Sequence, residues 1–148
     1  MANDGVLAEL SLDECVELLG SQPVGRIAFI SGEAPMVLPV NYRLVKRAGP
    51  HWLLIRTRGG SSLDNAASKF VAFEIDGIDP ANLTGWSVVA RGTLHHLDED
   101  EVAPLREFDP GPWAEQRDEW LVVKCSDITG RRLSVAGDEW PFSAAGYI

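Results

Sequence analysis

Trp86-Ser87-Val88-Val89-Ala90-Arg91-Gly92-Thr93-Leu94-His95-His96-Leu97 is the longest alternating run in the chain. On an extended strand, Trp86, Val88, Ala90, Gly92 and Leu94 share one face. Ser87, Val89, Arg91, Thr93 and His95 share the other. Shorter runs of the same kind lie on either side. Residues 24–30, 36–45, 51–58, 69–76 and 120–128 read as strands, and 131–135 extends the last one beyond a turn at Thr129-Gly130. Within 69–76, Val71, Phe73 and Ile75 point one way. Residues 31–33 and 47–50 supply turns, and 76–84 reads as a loop.

Helical signals are few and short. Ser11-Leu12-Asp13-Glu14 is a capping box that opens a helix through Leu19. Its buried face would carry Leu12, Val16 and Leu19, and Gly20 would stop it. Residues 61–67 suggest one or two turns, and 98–107 a further helix with acids in its first turn. Parallel crossovers need longer helices at regular intervals, and these are missing. The expectation is a mainly β domain, an antiparallel barrel of six to seven strands spanning 1–148. Its core covers about 11–135, and the tail 136–148 has no assignment.

The chain has 148 residues, 45% of them hydrophobic and 24% charged, which fits one soluble globular domain. A net charge of −9 argues against general nucleic-acid binding. No apolar run reaches membrane-spanning length, and the first five residues lack the basic start of a signal peptide. Cys15 and Cys125 stand far apart and read as reduced thiols, Cys125 in the core. A cytoplasmic protein is expected.

The chemistry concentrates after the third strand, in Leu53-Leu54-Ile55-Arg56-Thr57-Arg58-Gly59-Gly60-Ser61-Ser62-Leu63. Guanidinium groups, flexible backbone, two hydroxyls and a helix start together suit a phosphate. Arg56 shares its face with Trp52 and Leu54, so it needs an anion or a carboxylate such as Glu74 or Asp76. Arg58 is a second phosphate candidate or a solvated loop charge. Ser61 and Ser62 are either caps or phosphate ligands. Pro39 inside a strand marks an edge, a bulge or a break. His95 and His96 point to opposite faces, so no metal site is expected from them. No nucleophile–base pair or GxSxG, HExxH or Walker pattern is present.

Four segments in order resemble the pyridoxamine 5′-phosphate oxidase-like family of flavin-binding split β-barrels. They are Pro23-Val24-Gly25-Arg26-Ile27-Ala28, Pro39-Val40-Asn41-Tyr42, Arg56-Thr57 with Gly60-Ser61-Ser62-Leu63, and Gly85 to Gly92. The resemblance implies a homodimer with two cofactor sites at the interface and FMN as cofactor. A branch of the family uses the deazaflavin F420 instead, and a few members bind haem. It places the flavin ring against Pro39, Val40, Asn41 and Tyr42. The phosphate would sit at Arg56, Thr57, Arg58, Ser61 and Ser62, with Trp86 covering a cofactor, the partner's included. Family members often carry lysine where this chain has Ser62, which removes one positive charge from the phosphate site. The implied activity is hydride or electron transfer between the flavin and a small-molecule substrate. F420-dependent reduction and a non-catalytic flavin- or haem-binding module are the alternatives. Pyridoxamine phosphate oxidation itself needs a second basic cluster, for which Arg131-Arg132 is the candidate in the last third.

Overall fold

The computed structural model describes residues 5–67 and 69–135, so the tail 136–148 lies outside the described residues. Seven antiparallel strands form one sheet: β1 (Val6–Glu9), β2 (Val24–Ser31), β3 (Ala34–Val45), β4 (Trp52–Thr57), β5 (Phe70–Asp79), β6 (Thr84–His96) and β7 (Glu119–Ser134). Their order is β1-β7-β4-β3-β2-β5-β6, and β6 pairs back onto β7. Six strands therefore close into a ring, with β1 added along the end of β7. Closure satisfies the main-chain groups that an open sheet would leave at its edges. The expected antiparallel barrel is present.

Burial explains the strand sequences. Ile27, Phe29, Leu53, Ile55, Phe73, Val88, Leu94 and Leu121 pack in one cluster with Cys15, Leu18 and Leu19 of helix α1 (Leu12–Ser21). A second cluster joins Val45, Leu54, Trp120 and Val122 to Leu97, Val102 and Leu105. The last two side chains come from helix α2 (Glu99–Val102) and the 3-10 segment Ala103–Phe108. β4 is thus covered on both faces, which is why Leu53-Leu54-Ile55 does not alternate. The alternation of β6 is as expected, with Val88, Ala90 and Leu94 fully buried.

Several local expectations need correction. The capping box at Ser11 is formed, but α1 runs past Gly20 to Ser21, and Leu12 is 56% exposed while Cys15 and Leu18 take the buried positions. The expected loop over 76–84 is the end of β5, a turn, and the start of β6. β1 carried no recognised signal. Thr129-Gly130 is not a turn, since β7 is one strand of 16 residues. Gly130 is required there by close approach: a Cβ would lie 2.7 Å from Cys15 Sγ and 3.0 Å from Ser87 O. Residues 61–67 form only the 3-10 turn Asp64–Ala66, so no helix N-terminus faces the expected phosphate position.

Pro39 resolves as an edge feature within an unbroken strand. β3 pairs with β2 along Ala34 to Asn41, but with β4 only from Tyr42 to Val45. One side of residues 34–41 is therefore open. The Tyr42 N–H donates to Pro23 O. By strand alternation, Pro35, Val37, Pro39 and Asn41 direct their main-chain groups to that open side. Both prolines sit where a missing N–H breaks no ladder bond.

Candidate functional site

The open edge of β3 and the turn after β4 form two walls of a cleft of about 600 Å³. Met36, Leu38, Pro39, Val40 and Asn41 supply the first wall. Arg56, Thr57, Arg58, Ser61, Ser62 and Leu63 supply the second. Pro112, Ala114 and Arg117 close a third side from the loop before β7. Eight of the ten residues singled out in the sequence line this cleft; Tyr42 and Trp86 do not, and Trp86 lines another.

The turn is held by its own polar groups. Thr57 Oγ1 and Ser61 Oγ lie 2.9 Å apart, and Ser61 Oγ accepts from the Asp64 N–H at 3.1 Å. The Ser61 N–H donates to Arg58 O, and the Gly60 N–H to Asp64 Oδ2 at 2.8 Å. Ser61 is therefore committed to the turn. Gly60 has φ +76°, which suits glycine. Ser62 is exposed, and its hydroxyl makes no hydrogen bond among the described residues.

Arg56 does not reach Glu74 or Asp76. Those two carboxylates face Arg26, at 3.5 and 3.6 Å. Arg56 instead places Nη1 3.1 Å from both oxygens of Asp109 and donates from Nε to Arg117 O at 2.8 Å. Its guanidinium also lies 5.2 Å from the Trp120 ring. Its charge is thus largely matched by Asp109 before any ligand arrives. Arg58 is exposed on the same cleft and makes no ion pair among the described residues. Arg117 lines the cleft with no carboxylate partner among the described residues, its Nη1 donating to Glu115 O at 3.0 Å.

Sequence reasoning missed Arg117 and the whole third wall. The segment before β7 carried no recognised functional signal, yet Asp109 anchors Arg56 and the Trp113 N–H donates to Asn41 Oδ1 at 3.1 Å. A carboxylate placed just after a helical segment ends was the available signal.

Tyr42 departs from the expected site. Its ring is 2% exposed, packs edge-on against Phe73 at 4.6 Å, and donates its hydroxyl to Leu19 O. Burial holds its phenol well above the ordinary range. Trp86 belongs to a different surface, with Leu7, Ile78 and Leu83 beside it, and its indole occupies the space over Gly77. Cys15 and Cys125 are free and buried, and burial raises their thiols to about 11 and about 12. Neither lines the cleft.

Comparison with known proteins agrees with this architecture. Residues 11–132 match the family model described as pyridoxamine 5′-phosphate oxidase. The uncharacterized protein Rv0080 of Mycobacterium tuberculosis is 30% identical over 134 residues, 86% of each chain. Among solved structures, the FAD binding protein of Mycobacterium smegmatis is 30% identical with a TM-score of 0.65, covering 86% of this chain and 98% of its own. A putative pyridoxamine 5′-phosphate oxidase from Corynebacterium glutamicum is 26% identical with a TM-score of 0.70, over 91% and 98%. With a barrel of this topology and a match over most of its length, the chain belongs to the pyridoxamine 5′-phosphate oxidase-like family.

Proposed function

We propose that the cleft binds a flavin nucleotide and that the protein is a flavin-dependent oxidoreductase acting on a small molecule. The observation that carries this reading is the meeting of an open strand edge with a cationic, hydroxyl-bearing turn around one cleft. The outward main-chain groups of Val37, Pro39 and Asn41 suit the polar rim of a flavin ring. Arg58, Arg117 and the Ser62 hydroxyl suit its phosphates. The cleft volume is that of an ordinary small-molecule site. Bound there, the flavin supplies the hydride or electron transfer. The chain's own residues hold, orient and partly desolvate it.

Charge distribution favours one flavin over another. With Arg56 matched by Asp109 and serine at position 62, no concentrated clamp for a monophosphate dianion exists at the turn. Two separated cations, Arg58 and Arg117, fit a diphosphate better. FAD is therefore expected to bind more tightly than FMN or F420, in keeping with the relative from Mycobacterium smegmatis that is named as FAD binding. A homodimer is part of the same proposal. Ile30, Met36 and Val37 are exposed apolar side chains of the β2–β3 hairpin, and Met36 borders the cleft. A second copy covering them would complete the site, and Trp86 of that copy is available to cover the ring.

A non-catalytic flavin module is favoured by one observation. No His, Cys, Asp or Glu lines the cleft among the described residues. Any proton transfer would then involve solvent or substrate. The test is titration of the purified chain with FAD, FMN and F420, followed by NAD(P)H oxidation with the tightest ligand. Binding with turnover supports the oxidoreductase, binding without turnover supports the module, and no binding removes both.

A further inference from the structure

Behind the same turn, outside the cleft, three side chains from distant parts of the sequence converge. Asp64 comes from the 3-10 turn, His96 is the last residue of β6, and Glu119 is the first of β7. One ligand atom from each lies within 4.8 Å of the other two. His95 and His96 cannot share an ion, but His96 needs no neighbour in sequence to find two carboxylates. We propose that Asp64, His96 and Glu119 form a binding site for a divalent transition-metal cation of the zinc class.

Two observations support a cation over a simple polar cluster. The first is Asp64. Its Oδ2 is used by the Gly60 N–H, while its Oδ1 is buried from solvent and has no hydrogen-bond partner. A buried carboxylate oxygen without a partner is costly, and a cation would satisfy it. The second is spacing. Asp64 Oδ1 lies 3.4 Å from His96 Nε2, beyond the usual range of an N–H···O bond. Two ligands held tetrahedrally on one zinc ion at ordinary bond lengths are about 3.4 Å apart. Glu119 completes a three-residue set whose ligand atoms, one from each residue, lie within 4.8 Å of one another, and its half-exposed side chain is free to adjust. A fourth position faces solvent and would take water.

The donor set selects the metal. One imidazole with two carboxylates suits zinc, cobalt or nickel, whereas magnesium and calcium prefer oxygen alone. The position gives the ion a structural consequence. Glu119 pairs with Thr57 in the sheet and packs beside Gly59, and Asp64 ties down Gly60. A bound cation would therefore brace the segment that carries Ser61 and Ser62. The site rests on no flavin, so it stands or falls separately from the proposed function.

The test is calorimetric titration of the full chain, metal-stripped and flavin-free, with Zn²⁺ and separately with Mg²⁺. One Zn²⁺ per chain is expected, with Mg²⁺ at least about tenfold weaker. His96→Ala and Glu119→Gln should each weaken Zn²⁺ binding at least about tenfold, and circular dichroism should show both variants folded. Asp64→Asn should do the same, and the Co²⁺-loaded protein should show the visible absorption of a low-coordinate site. Zn²⁺ affinity unchanged in folded His96→Ala, or no stoichiometric binding at all, would overturn the proposal.

Discussion

Arg56 and Arg58 are two residues apart and have different roles. Arg56 is 23% exposed and spends its hydrogen bonds on Asp109 and the Arg117 carbonyl. Arg56→Ala is expected to lower stability by about 1 kcal/mol, read from thermal unfolding, because the pair is part-exposed. Arg58→Ala should leave stability unchanged and weaken flavin binding by about 1.5–3 kcal/mol, the usual worth of a bond to a charged group. Asp109→Asn should tighten flavin binding by freeing the Arg56 charge, and calorimetry would register the change. Tyr42→Phe tests the departure from the sequence reading. It removes the hydroxyl from Leu19 O and should cost about 1–1.5 kcal/mol in denaturant unfolding with flavin affinity intact. Arg56 announced itself in the sequence as a group needing a partner, whereas Tyr42 entered only as a contact for the flavin ring. Which partner each finds depends on residues 61 and 23 positions away, and no local pattern encodes that.

At the scale of elements, local physics was legible where periodicity or caps were strong. The capping box at Ser11, the alternation of β6 and the face shared by Val71, Phe73 and Ile75 all follow from spacing alone. Glycines misled, because a turn glycine and a close-contact glycine look alike in sequence. Gly92 shows the second kind: it lies at the β6–β7 bulge, where a Cβ would fall 2.0 Å from the Lys124 carbonyl oxygen. Gly130→Ala is expected to cost about 1–3 kcal/mol through overpacking against Cys15 and Leu10, checked by the shift in denaturation midpoint. On the outer face of β2 and β5, Glu74 and Asp76 share Arg26. Burial, then the Asp76 carboxylate, raises the Glu74 carboxyl from 4.5 to about 7, against the pull of Arg26. The folded protein therefore keeps a proton that the unfolded chain releases between those values. Stability from this group is present below that window and lost as pH rises through it. Glu74→Gln should raise the melting temperature at about pH 8 and flatten its dependence between about pH 5 and 8.

For the whole molecule, fold class and cleft follow from a single arrangement. Six strands close a ring, but β3 is longer than its partner β4, so its residues 34–41 are left open on that side beside the β4 turn. The barrel was legible because strand spacing excludes parallel crossovers. The loop over 109–117 was not, because its placement depends on Asp109 meeting Arg56 and on Asn41 meeting the Trp113 main chain. No helix among the described residues is long and apolar enough to cross a membrane. The central claim is that the open β3 edge and the Arg58–Ser62 turn hold a flavin between them. A crystal structure of the chain grown with FAD tests it most directly. The account expects the ring along Val37 to Asn41 and the phosphates within hydrogen-bonding distance of Arg58, Ser62 or Arg117. Flavin density elsewhere on the barrel, or a ring contacting neither the β3 edge nor that turn, would contradict it.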